Sequence, residues 1–189
     1  LLGRTDEIRE AMRDAQVDRA LCICTTLEEF ETVHALATRY DNFWASAGVH
    51  PDSEGVHEPS VDELLRLAAL PRVVAIGETG LDYFRLKGDL EWQRMRFRNH
   101  IRAARECGKP LIIHTREAAA DTLRIMTEEN AAGAGGVMHC FTETWDVAQG
   151  ALELGFHISF SGIVTFKNAV ELKEVARRVP LDRYPLKNR

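Results

Sequence analysis

The stretch "VVAIGETGLDYF", residues Val73–Phe84, decides how this chain is read. An apolar run, Val73–Ile76, leads into Gly77 and then Glu78, a carboxylate where a strand should be leaving a core. A carboxylate buried alone is costly, so Glu78 requires a cation, a proton or a hydrogen-bond network. The rest of the chain has to say which.

Working outward, short apolar runs alternate with longer helical ones. The strand candidates are Ala20–Thr25, Phe43–Gly48, Val73–Gly77, Pro110–Ile113, Gly136–Met138 and Phe156–Phe160. Each is brief and bounded by Gly, Pro or polar residues, as fits buried parallel strands. Between them, Thr26 with Glu29 reads as a capping box opening a helix through Leu36. Leu90–Cys107 is helical in pattern and stopped by Gly108-Lys109-Pro110. Arg116–Glu129 and Trp145–Leu154 follow, and Asn168 with Glu171 caps a helix running to Arg178. Strand and helix in strict alternation imply a parallel α/β fold. On pattern alone a doubly wound sheet and a β/α barrel both remain open, and a barrel needs eight units where six are visible.

The bulk properties narrow the function classes. At 189 residues the chain is long enough for a single domain, 1–189, with a substantial core. No apolar run approaches the roughly 20 residues of a membrane helix, so no membrane partner is expected. The net charge of −5 supplies no global field for nucleic acid and argues against a pure binding module. It argues less against an enzyme whose metal ions supply local positive charge. Cys22, Cys24, Cys107 and Cys140 show neither CxxC pairs nor a dense disulfide framework, which reads as a reducing, cytoplasmic setting.

Chemistry gathers where the strand candidates end. His50 follows Phe43–Gly48, Glu78 follows Val73–Gly77, His114 follows Pro110–Ile113, and His139 follows Gly136–Met138. In parallel α/β folds the carboxyl ends of strands are where sites are built. One histidine near a strand end is more often structural than a ligand, and Glu78 alone could pair with a buried arginine. Four such residues at one end of consecutive strands favour a shared purpose. Histidine and carboxylate without a thiolate pattern suit Zn, Mn, Mg or a related divalent ion. His34, His57, His100 and His157 lie in helices, a loop and a strand interior, and read as surface or packing residues, while Cys140 reads as packing.

"GVHP" (Gly48–Pro51), "GETGLDYF" (Gly77–Phe84), "KPLIIHTREAAADTL" (Lys109–Leu123), "GVMHCFTE" (Gly136–Glu143) and "ISFSGIVTFKNA" (Ile158–Ala169) together resemble the TatD family of metal-dependent deoxyribonucleases. The blocks are co-linear and span nearly the whole chain. The resemblance implies a TIM-type (β/α) barrel with two divalent ions. It makes Glu78 the carboxylate that touches both ions, and His114 and His139 ligands of one of them. It places His50 at the mouth, against substrate phosphate or the nucleophilic water. Arg116 and Lys167 become phosphate contacts, and Asp82 orients the loop after Glu78. Tyr83 and Phe84 are candidates to stack on a base, with packing under a loop as the other reading. The implied activity is hydrolysis of DNA, with RNA as a further substrate, from a free or frayed single-stranded end by a monomer.

The resemblance also implies an HxH pair on a first strand and an aspartate in an ETDSP-like run on a last one. Nothing before Leu21 offers the first, Asp182 precedes the place of the second, and the closing "YPLKNR" (Tyr184–Arg189) has no counterpart. The expectation is therefore a fragment of a longer enzyme, a barrel without its first and last strands. Two rival readings stand beside the nuclease: hydrolysis of an amide, ester or lactone on the same barrel, and a non-catalytic metal-binding domain.

Overall fold

The computed structural model describes residues 2–183; the Tyr184–Arg189 run lies outside them. Six strands form one parallel sheet in chain order: β1 (Ala20–Cys22), β2 (Phe43–Ala47), β3 (Val73–Asp82), β4 (Leu111–Arg116), β5 (Gly136–Met138) and β6 (His157–Ile158). The order never reverses, so the sheet has no switch point of the doubly wound kind. It curls instead into a half-barrel, the TIM-type alternative.

Helices α1 (Thr5–Asp14), α2 (Phe30–Arg39), α3 (Val61–Ala68), α4 (Glu91–Cys107), α5 (Ala119–Glu128), α6 (Trp145–Glu153) and α7 (Val170–Arg178) join the strands. The main core lies between the helices and the sheet, where Ile76, Phe97, Leu111, Ile113, Ile125, Met126 and Phe156 are fully buried. Each such side chain contributes about 1.5–3 kcal/mol of burial free energy. Leu21 and Val74, each 40% exposed, mark the opposite face of the sheet as open.

Several expected boundaries move, for local reasons. Thr26 makes no capping bond; a 3-10 turn, Leu27–Glu29, intervenes and α2 starts only at Phe30. The glutamate is taken by Thr25, whose hydroxyl donates to Glu29 Oε2 at 2.9 Å. A full capping box does exist, at Ser60 and Glu63, opening α3. Asn168 does not cap α7, whose N-cap is Ala169. Arg116 belongs to β4, and α5 begins three residues later at Ala119. Gly108, with φ +65, ends α4 as expected.

The largest departure is in the decisive stretch. β3 does not stop at Gly77 but runs on to Asp82. Its register against β4 slips: Ile76 pairs with Leu111, yet Thr79 pairs with Ile113, so three steps on β3 match two on β4. The extra residue is a bulge at Gly77–Glu78, which re-aims a side chain without ending the strand.

Gly80 pairs with His114 so closely that a Cβ there would lie 1.9 Å from the His114 carbonyl oxygen, and its φ is +126. Gly80→Ala should therefore lower stability by at least about 2 kcal/mol, read as a shift of the urea midpoint. Gly162→Ala, where nothing lies within 4 Å of the added carbon, should stay within about 0.5 kcal/mol of the parent.

Candidate metal centre

Three side chains meet at one mouth of the sheet. Glu78 comes from the β3 bulge, His114 from within β4, and His50 from the segment that follows β2. Glu78 Oε1 lies 3.8 Å from His50 Nε2 and 3.7 Å from His114 Nδ1. The two imidazole rings sit 4.6 Å apart, centroid to centroid. All three side chains are 12–19% exposed, sheltered but reachable from solvent.

The other nitrogen of each ring is committed to an aspartate. His50 Nδ1 is hydrogen-bonded to Asp52 Oδ1, with the Asp52 amide farther away at 3.3 Å. His114 Nε2 is 3.0 Å from Asp82 Oδ2. A carboxylate only accepts, so a ring in its neutral form donates its single N–H to its aspartate. The free lone pairs of His50 Nε2 and His114 Nδ1 then face Glu78 Oε1. Three acceptors converging on one point repel one another unless a cation stands among them. Separations of 3.7–3.8 Å suit donors that each reach an ion at roughly 2.0–2.2 Å. The donor set fits a divalent metal, and among the described residues these are the three that group as such.

A loop closes the circuit. The Arg85 guanidinium donates to Asp52 Oδ2 at 2.5 Å, while the amides of Phe84 and Arg85 donate to Asp82 Oδ1 at 3.0 and 2.9 Å. Asp82 thus orients the loop after Glu78, as expected, and also holds His114. Burial pushes the Asp82 carboxyl up, but the Arg85 amide, the His114 imidazole and the Phe84 amide outweigh it and leave it below its ordinary value. Burial, with the neighbouring His50, pulls His114 below its ordinary value against the opposing pull of Asp82 and Asp52. Both directions favour carboxylate beside neutral imidazole.

The surrounding hollow, about 370 Å³, is lined by these groups together with Thr25, Ser53, Arg85 and Arg116. Arg116 stands where expected, its guanidinium 3.8 Å from the centroid of Phe84, a ring 49% exposed. Tyr83 is placed differently: its hydroxyl donates to Asp121 at 2.7 Å and accepts from Arg94 at 3.3 Å, and its ring packs against the core. Lys167 lies exposed in the turn before α7 and does not line this hollow. His139 stands at the end of β5, its amide donating to the Ile113 carbonyl at 2.7 Å. Its Nε2 is 3.2 Å from Cys140 Sγ, so Cys140 touches a candidate ligand rather than only packing, and His139 is outside the three-donor group. His50, expected against substrate, is inside it.

Nothing in the linear pattern singles out Asp52 or Arg85. Both need the loops folded together before their roles show. His100 is a further case. It is fully buried, its Nε2 accepting from the Val49 amide at 3.0 Å and its Nδ1 donating to the Arg96 carbonyl at 2.8 Å. The packing reading given to it holds, but what it packs against is the backbone beside His50.

The fold and site together define a β/α half-barrel with a candidate divalent-metal centre at the carboxyl ends of its strands. Residues 3–186 match the family described as TatD related DNase, and the chain belongs to that family. It is 48% identical over 176 residues to the uncharacterized metal-dependent hydrolase YcfH of Escherichia coli K12, covering 93% of this chain and 65% of that protein. It is 35% identical over 180 residues to a protein of Cronobacter turicensis named 3'-5' ssDNA/RNA exonuclease TatD, covering 94% and 68%. The crystal structure of the E. coli K12 TatD homolog YJJV superimposes with a TM-score of 0.89 at 27% identity, covering 97% of this chain and 72% of that one. The chain thus spans about two thirds of the length of these relatives.

Burial holds the His100 imidazole down at about 4, against an ordinary value near 6.5. The unfolded chain then binds the proton that the fold refuses, so this share of stability is complete above about pH 6.5 and lost as pH falls toward 4. At most about 3 kcal/mol is at stake. In metal-free protein, urea unfolding at pH 7 and pH 4.5 should show a smaller loss for His100→Gln than for the parent. An equal loss would mean that His100 is not charged on unfolding.

Proposed function

We propose that this chain carries the metal centre of a phosphodiesterase that hydrolyses single-stranded DNA, and also RNA, from a free end. The observation that carries the reading is the convergence of two imidazole lone pairs and a carboxylate beside two guanidinium groups, Arg85 and Arg116. His50, Glu78 and His114 would hold an ion, and His139, one strand along, would join His114 as a further ligand of the centre. Bound ions of this kind lower the pKa of a coordinated water and neutralise charge on a phosphoryl oxygen. In the reaction, water oxygen would bond to phosphorus as the ester P–O bond breaks, and the proton that the water gives up would end on the departing alkoxide.

The chain's own residues supply the rest. Arg116 and Arg85 bind phosphate oxygens as forked donors. Asp52 and Asp82 keep the histidine protons turned away from the donor point. Phe84, exposed and backed by Arg116, offers a face on which a base stacks. Tyr83, held by Asp121 and Arg94, supports that loop, and Lys167 meets the strand farther from the centre. An amide or lactone substrate would be better served by a closed apolar pocket, whereas this hollow is open and lined by charged groups. The name of the Cronobacter relative supports single-stranded DNA and RNA as substrates. No helix among the described residues is long and apolar enough to cross a membrane. The proposed setting is the cytoplasm and the proposed acting unit a monomer.

Hydrolysis of 5′- and 3′-labelled single-stranded DNA, with Mg²⁺, Mn²⁺ or Zn²⁺ and with EDTA, tests the proposal. Metal-dependent cleavage should fall at least about 100-fold in Glu78→Ala, and the label pattern gives the polarity. A folded, metal-loaded protein that leaves DNA and RNA intact yet hydrolyses esters or lactones would replace this reading with the rival one.

A further inference from the structure

Helix α4 turns its apolar face, Phe97, Ile101 and Ala104, into the main core. Beside that face runs a second stripe, Gln93, Arg96 and His100, spaced three and four residues apart and therefore aligned. These three are no surface stripe, being 0–1% exposed. An amide, a guanidinium and an imidazole persist in a core only with their hydrogen bonds made.

Their partners are concentrated in two places. Gln93 Nε2 donates to the Pro51 carbonyl at 3.0 Å and to the Asp82 carbonyl at 3.3 Å, while its Oε1 accepts from the Asp82 amide at 2.9 Å. Arg96 donates to the His50 carbonyl at 2.7 Å, and the rest of its fork goes to the Glu58 carboxylate. His100 accepts from the Val49 amide. Residues 49–51 follow the end of β2 and make no strand pairs, so their buried backbone groups need partners from elsewhere. Helix α4 supplies them through side chains, and Thr25 adds one by accepting from the His50 amide at 2.9 Å.

We infer that Gln93, Arg96 and His100 are positioning residues: they read the backbone on either side of His50 and at Asp82, and thereby fix both histidines against Glu78. The inference rests on the metal-centre reading for its purpose, but the positioning it describes belongs to the metal-free chain. Gln93 is the tie between the two halves of the site, since one amide group holds both the His50 segment and the residue that orients His114. Arg96 holds the His50 side alone. The two residues therefore differ in what they disturb.

The test uses imidazole ¹⁵N NMR of metal-free protein together with calorimetric titration of Mn²⁺ and Zn²⁺. Gln93→Met keeps the side-chain length and removes the tie; it should move the ring resonances of both His50 and His114 and weaken metal binding about 10- to 100-fold. Arg96→Lys retains one donor toward the His50 carbonyl; it should move His50 only and weaken binding less. Ile125→Val, a core change on α5 measured at the same interval below its own Tm, should do neither. Loss of Tm in Gln93→Met with both ring signals and the metal affinity unchanged would overturn the inference. So would equal disturbance of His114 by both variants. If the parent protein takes up no metal, the metal-centre reading fails, and the ring resonances still decide whether these residues position the histidines.

Discussion

The site depends on two hydrogen bonds that point away from it. Asp52 and Asp82 each accept a hydrogen bond from one imidazole N–H, and only then do two lone pairs face Glu78. A neutral imidazole has one N–H to give, so fixing where it goes fixes what the ring presents on its other side. Burial and carboxylate chemistry act together here: His114 is drawn below its ordinary pKa and Asp82 stays below its own. The result is a cluster of acceptors that fits a cation. It answers the question raised by Glu78, whose carboxylate converges with two imidazole nitrogens on a point where one cation would satisfy all three.

These two bonds depend in turn on the backbone. Arg85 reaches Asp52 with its side chain and Asp82 with its amide, so one residue steadies both orienting carboxylates. On the opposite side, α4 holds the chain that carries His50. Changes within such a network do not add. Replacing the Arg85 side chain would take the guanidinium from Asp52 and be felt first at His50, while the Asp82 side would still rest on the Phe84 and Arg85 main-chain amides.

Much of the fold was legible in the sequence because six apolar runs with turn signals leave few ways to alternate with helices. All six strands appear, in a parallel sheet of the expected class. Glu78, His114 and His50 were legible as a group through their common place after strands. What escaped was whatever depends on folded loops. A bulge leaves no mark in composition, so β3 seemed to end at Gly77 when it only changed step there. Thr26 had the spacing of a capping box, but Glu29 is held by Thr25 and Thr26 makes no cap. Helix α1 was not read from the sequence although Ile8, Ala11 and Met12 stand at helical spacing, and none of its residues is buried. The stripe of Gln93, Arg96 and His100 went unread because a buried polar residue and an exposed one are identical letters until their partners are known.

The glycines at the centre of the sheet carry a last consequence. A Cβ on Gly48 would meet the Gly77 backbone at 2.6 Å, one on Gly77 would meet the Ile112 carbonyl at 2.6 Å, and one on Gly80 would meet that of His114. Three neighbouring strands thus touch through bare main chain along a seam that runs under the donors. Contacts of main chain on main chain have no rotamers to explore and no side-chain volume to trade. The approach of the strands beneath the donors is therefore set like the teeth of a gauge, by main chain on main chain, while the two aspartates and the α4 side chains aim the donors that stand above it.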